Sequence, residues 1–323
     1  MKSARFLLAG AMLAACLVSQ AALAETINFG IISTDNSSAL RQRWQPLIDD
    51  INKQTGLEVK PFFATDYAGI IEGMRFNKVQ IGYFGNASAI EAVDRGNGEV
   101  FAKVKYKSGE AGYYSLLITN VNSKWKTVDQ VLKDTHDINL GFGDPNSTSG
   151  TLVPSYYLFA KNGVSVRNDF KSVLPSSHEA NMLAVVNNRV DVATNNTDMV
   201  ETLRQQHPEL LQRVRILWKS PLIPSDPIVW RRDLPQATKD KLRNFFDHYA
   251  QTDPREKAIM EGITGLSGFT DSTDAQLIPI RQMALFQKKE QIQNDAHLSD
   301  EDKKAKIAAL DEKLAQLDTV AAK

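Results

Sequence analysis

Two rhythms of apolar and polar positions alternate along the chain. Thr26-Ile27-Asn28-Phe29-Gly30-Ile31-Ile32 alternates and then runs apolar into Ser33, which predicts a buried strand. Leu40, Trp44, Leu47, Ile48 and Ile51 then recur on one face of a helix that Gly56 closes. A strand over Leu57 to Phe63, a helix over Asp66 to Phe76 and a strand over Val79 to Phe84 follow. Strand, helix and strand in repetition predict an α/β fold, a mostly parallel sheet covered by helices.

The rhythm breaks between Phe101 and Asn120. Phe101 to Tyr106 and Tyr113 to Ile118 are strand-like runs on either side of the turn-rich Ser108-Gly109-Glu110, a pair suited to carrying the chain from one lobe to another. Alternation then restarts: helix Thr127 to Lys133, strand Ile138 to Phe142, helix Thr151 to Lys161, a strand near Val173, helix Glu179 to Asn188, strand Val190 to Thr194, helix Thr197 to Gln206. Val214 to Trp218 and Ile228 to Trp230 are expected to form the return crossing, with Pro235 at the turn beyond it. Helices Thr238 to Ala250 and Pro254 to Glu261 bring the chain back. The expected lobes are residues 25–115 with 226–285, and 116–225. Residues 286–323 form a helical tail, in which Ser299 caps a helix with acids in its first turn. Ile307, Leu310, Leu314 and Leu317 make a narrow apolar stripe there, to be covered either by the chain itself or by a second copy in a homodimer.

Met1 to Ala24 runs from Lys2 and Arg5 through apolar Phe6 to Ala15 to Ala22-Leu23-Ala24, the pattern of a secretory signal peptide. Leu13-Ala14-Ala15-Cys16 also fits a lipobox, which would anchor the protein through Cys16; cleavage after Ala24 instead leaves a chain without cysteine, stabilised by burial alone. About 300 remaining residues exceed the usual size of one core. The sequence carries 38 basic and 38 acidic side chains, and losing Lys2 and Arg5 leaves 36 against 38. Such balance, without a basic stripe, argues against a nucleic-acid partner and requires any bound anion to be held by local geometry.

The most informative stretch is Gly141-Phe142-Gly143-Asp144-Pro145-Asn146-Ser147-Thr148-Ser149-Gly150, between a strand and a helix. Three successive hydroxyls at a helix start suit a tetrahedral anion, but also serve as ordinary caps. Thr151 stands where a Walker loop would have lysine. Thr194-Asn195-Asn196-Thr197-Asp198 opens a helix after a strand, where open sheets bind ligands, and Ser225-Asp226-Pro227 precedes another strand. Tyr67, Tyr83, Tyr113 and Tyr114 lie near element ends, and His178 at a strand-to-helix junction. No histidine pair has zinc spacing and no Gly-x-Ser-x-Gly elbow occurs, so neither metal, cofactor nor covalent intermediate is implied.

Asn28 to Thr34, Asp66 to Ile71, Met74 to Val79, Glu91 to Arg95, Gly143 to Gly150, Asp191 to Thr197 and Trp218 to Trp230 together resemble the periplasmic phosphonate-binding proteins of bacterial phosphonate ABC importers. The resemblance implies a two-lobed type II periplasmic binding protein fold that captures a small phosphonate in the cleft and hands it to a membrane permease. It implies an anion site at Ser147, Thr148 and Ser149, completed by Tyr67, Tyr113 and His178, and a contact to the amine of 2-aminoethylphosphonate from Asp198 and Asp226. A member of that family has glutamate at the position of Asp198 and Trp-Tyr at that of Tyr83-Phe84, which leaves the preferred phosphonate open. The rival expectations are a binder of phosphite, phosphate or phosphate esters, and an enzyme using Ser149 as nucleophile, His178 as base and Asp198 as orienter.

Overall fold

The structure, a computed structural model, describes residues 26–295 and 297–321. The leader Met1 to Ala24 and the lipobox cysteine Cys16 lie outside the described residues. Two mixed sheets organise the rest. The first has the order Leu266–Asp271, Gly98–Tyr106, Pro227–Arg231, Ile81–Tyr83, Ile27–Ile31, Val59–Phe62; the second has the order Val214–Lys219, Ser115–Asn120, Val192–Asn196, Asn139–Phe142, Ser172–Pro175. Pairing is parallel wherever a helix joins the strands, as between Ile27–Ile31 and both its neighbours. It is antiparallel around Gly98–Tyr106, Pro227–Arg231 and Ser115–Asn120, the strands that flank the passages between sheets.

The helical periodicity read at Leu40 to Ile51 has a simple cause. Helix α1 (Ser37–Thr55) lays Leu40, Trp44, Leu47, Ile48 and Ile51 on the core of the first sheet, each almost wholly buried. Asn36 caps its start through Ala39 N at 3.0 Å, and Gly56 ends it in the left-handed conformation at φ 68°. Helices α2 (Tyr67–Arg75) and α3 (Asn86–Arg95) cover the same sheet. In the second sheet alternation decides the faces: Leu117, Leu140 and Val192 face one apolar layer, whereas Leu116, Ile118 and Ala193 face the other.

Four places depart from the pattern. The helix expected from Thr151 starts at Thr148 and winds as two π-helical turns, Thr148–Leu152 and Ser155–Phe159, because Leu152 N donates to Ser147 O, five residues back, at 3.1 Å. Leu266–Asp271 is an edge strand that periodicity did not reveal, since Gly268 (φ 133°) and a register shift interrupt its alternation. Val214–Lys219 and Pro227–Arg231 are strands of the two sheets rather than the crossing itself. The chain crosses between them, where Ile223–Pro224 pairs antiparallel with Gly112–Tyr113. A Cβ on Gly112 would lie 1.8 Å from Ile223 O, so only glycine lets these two backbones touch. Finally, the tail helices Ile278–Gln293 and Asp300–Ala321 pack on one another, with Leu310 and Leu314 buried and Gln282 Nε2 donating to Asp318 at 2.6 Å. Those two stripe residues are thus covered within the chain. No described helix is long and apolar enough to cross a membrane.

Candidate functional site

The loops that follow the strands' carboxyl ends face one another and line a cavity of about 30 Å³. All eight residues singled out in the sequence line it: Tyr67, Tyr113, Ser147, Thr148, Ser149, His178, Asp198 and Asp226. They arrive from six separate segments, which only the fold brings together.

One wall is the hydroxyl loop after Asn139–Phe142. Its carbonyls are taken up from below, Ser115 Oγ donating to Ser149 O at 2.6 Å and Thr194 Oγ1 to Gly150 O at 2.7 Å. Each hydroxyl of the loop also accepts a proton from the protein. Ser147 Oγ accepts from Gly150 N (2.9 Å), Thr148 Oγ1 from Ala87 N of α3 (2.8 Å), and Ser149 Oγ from Asn196 Nδ2 (3.2 Å). A hydroxyl has one proton to give. With one lone pair of each held by the protein, the three hydroxyl protons can turn into the cavity. His178 Nε2 lies 3.4 Å from both Ser147 Oγ and Ser149 Oγ, and burial lowers its pKa to about 4, so the imidazole is neutral. Its Nδ1 is buried without a partner. A proton on Nε2 leaves only a bare lone pair at Nδ1, which costs less than an orphaned N–H. Tyr67 is pushed well above its ordinary pKa by burial and by Asp226 and Asp144, so its phenol keeps its proton.

The opposite wall is acidic. Asp226 accepts from Tyr83 Oη at 3.1 Å and Asn86 Nδ2 at 3.3 Å, and Tyr106 Oη donates to Asp198 Oδ2 at 3.0 Å. Asn86 is fixed in turn by its bonds to Pro224 O (2.8 Å) and from Gln276 Nε2 (3.0 Å). Burial raises the Asp198 pKa to about 7, against a partial lowering by Tyr106. Burial and the nearby Asp198 raise Asp226 well above the usual carboxylate range. The cavity's one guanidinium, Arg43, is neutralised by its buried pair with Asp35 and donates to Thr202 Oγ1 at 3.1 Å. Two carboxyls therefore face the cavity without a cation of their own.

One expectation needs correction, the catalytic triad, while Tyr113 keeps its place at the cavity. Tyr113, implied beside the anion, lines the cavity with its phenol kept protonated by burial and by the nearby Asp226, so it can serve there as a neutral donor. The imagined triad does not assemble: Asp198 is bonded to Tyr106, and no group orients His178 Nδ1. Tyr106, Asn86 and Arg43 escaped the sequence reading as site residues, whereas Tyr83 and Asn196 were marked by their positions at strand ends. Each of the three sits within an ordinary element that carries no local sign of a site.

The family model described as the periplasmic substrate-binding protein of phosphonate ABC transporters matches residues 29–277. The chain is 49% identical over 294 residues to the phosphonates-binding periplasmic protein of Escherichia coli K12, covering 91% of this chain and 86% of that one. A crystal structure of a binding component of an ABC phosphonate transporter from Pseudomonas aeruginosa superposes with a TM-score of 0.89 at 50% identity, covering 92% of this chain and 98% of the other. A more distant likeness, TM-score 0.71 at 21% identity, is to a Prochlorococcus marinus protein solved with methylphosphonate; it spans 80% of this chain and 97% of that one and bears on the fold alone. These relatives are binding components and not enzymes. The chain thus belongs to the periplasmic substrate-binding proteins of phosphonate ABC transporters.

Proposed function

We propose that the cavity captures aminoalkylphosphonates, with 2-aminoethylphosphonate as the type ligand, and that closure of the lobes 25–115 with 226–285 over 116–225 presents the complex to the membrane permease. The leader Met1 to Ala24 would direct export to the periplasm, and the intact mass of the exported chain tests this against retention of a lipidated Cys16. One observation carries the ligand assignment: three protein-polarised hydroxyls, the neutral His178 and Tyr67 face two enclosed carboxyls that lack a cation. Such a cavity is complementary to a zwitterion, its PO3 group on the hydroxyl loop and its ammonium between Asp198 and Asp226. Charge-assisted hydrogen bonds contribute roughly 1.5–3 kcal/mol each, and micromolar affinity needs about 8 kcal/mol net, so a handful of neutral donors suffices. A bare oxyanion has no use for the acidic wall, which disfavours phosphite and phosphate. Calorimetry with 2-aminoethylphosphonate, methylphosphonate, phosphite and phosphate tests the assignment, and a preference for phosphate or phosphite overturns it.

Two outcomes follow at this site. Ser147→Ala removes a donor and the cap on Gly150 together, and is expected to weaken every phosphonate by about tenfold or more. A loss confined to one ligand would place the PO3 group elsewhere. The second outcome concerns pH. With a ligand-free pKa of about 7, Asp198 is half protonated at neutrality, and an ammonium beside it favours the carboxylate. Binding of the amine then expels a proton, so affinity for 2-aminoethylphosphonate relative to methylphosphonate rises with pH below 7, by up to about tenfold per unit. The ligands' own second ionisations, which differ because the ammonium acidifies its PO3 group, are measured separately and subtracted. Titrations at several pH values read the ratio, and a flat ratio contradicts the ammonium's placement.

A further inference from the structure

Three helices of the first lobe share the acceptors of their first turns with the second lobe, even where a residue of their own also caps them. Tyr67 N at the start of α2 donates to Asp144 Oδ2 at 3.1 Å, and Ala87 N of α3 donates to Thr148 Oγ1 at 2.8 Å; the α3 cap position is Gly85, which has no side chain to offer. Both acceptors belong to the second lobe. The start of α1 repeats the arrangement most fully. Glu179 Oε2 accepts from Asn36 N at 2.8 Å, and its two carboxylate oxygens accept from Asn36 Nδ2 at 2.9 and 3.0 Å. In return, Glu179 N donates to Thr34 O at 3.2 Å. Asn36 is itself the cap of α1.

We infer that Glu179 is a positioning residue for ligand capture, which sets how firmly the cleft stays shut without touching the ligand. The residue follows His178 in sequence but is not part of the cavity wall, and its carboxylate is bonded to Asn36 alone. These bonds join the two lobes and break when the lobes part, leaving Asn36 N without its acceptor and the positive end of α1 without its anion. The closed population therefore rises by the same factor whatever the ligand, and apparent affinity scales with that population. Asp144 and Thr148 act alike, but they also shape the hydroxyl loop; Glu179 isolates the closing contribution.

The inference rests on the proposed ligand class only for its affinity arm. In a Cys16→Ser background, dyes on Lys53→Cys and Lys171→Cys report lobe separation by energy transfer, and calorimetry and stopped flow report binding of 2-aminoethylphosphonate and methylphosphonate. Glu179→Ala is expected to shift the ligand-free distribution toward open forms and to raise both dissociation constants by one common factor, about tenfold, through faster release. Glu179→Gln keeps an acceptor and is expected to recover most of the loss. Constants within twofold of the parent, or a loss confined to one ligand, overturn the inference, the latter by showing that the residue acts through His178. Should the parent bind neither phosphonate, the proposed function falls, and the energy-transfer arm still decides this inference, since an unchanged distribution defeats it.

Discussion

Asp226→Asn is expected to weaken 2-aminoethylphosphonate by about a hundredfold while leaving methylphosphonate within a few fold. The asparagine keeps an oxygen for the Tyr83 phenol, so the wall retains its shape while losing its charge. What disappears is attraction between an ammonium and an enclosed carboxylate with no competing base, the setting in which such a pair is strongest. The same change is expected to stabilise the ligand-free protein. Asp226 has a folded pKa above its unfolded value, so the proton it holds contributes stability at low pH that is lost as pH rises through the folded pKa. Asp198 behaves alike, its contribution disappearing as pH rises from about 4 through 7, whereas His178, held neutral, loses stability as pH falls from about 6.5 toward 4. Thermal melts across pH should therefore show Asp226→Asn gaining most over the parent on the alkaline side. Equal loss of both ligands would show that Asp226 holds the structure rather than the amine.

Gly143→Ala is expected to abolish measurable binding of every phosphonate. A Cβ there would stand 2.4 Å from Gly150 Cα and 2.5 Å from Gly150 C, and these are backbone atoms that no rotamer change can move. Gly143 N also donates to Gly150 O at 3.1 Å, so the two strands of the loop cannot separate without losing that bond. Displacing Gly150 releases Ser147 from its cap and carries Ser149 away from Asn196, so the donors no longer converge. Overpacking of this kind destabilises by about 1–3 kcal/mol, which a protein of this size can survive. A folded variant with a lowered melting temperature and no calorimetric signal is the expected result. Retained affinity would mean that the loop is not the anion socket.

Much of this site could be read from the chain because its signals are local. The hydroxyl run lies where a strand gives way to a helix, and Asp198 and Asp226 sit beside strand ends, so residue type and position along an element already mark them. Ser147 as a cap is a local event, set by the bond to Gly150 three residues on. The acidic wall was less legible. Tyr106 ends a long strand and Asn86 begins a helix, and nothing in either neighbourhood reports that a carboxylate more than ninety residues away will need its proton.

The alternation of strand and helix, the leader pattern, the absence of a basic stripe and the hydroxyl run are properties of sequence neighbours, and sequence alone determined them. Tertiary structure decided that Arg43 is silenced by Asp35, that three first-lobe helices take part of their capping from the second lobe, and that the carboxyls stand without a cation. The reason is physical: periodicity and capping act over a few residues, whereas desolvation and charge pairing depend on what the fold brings within a few ångströms, and no spacing along the chain encodes that distance.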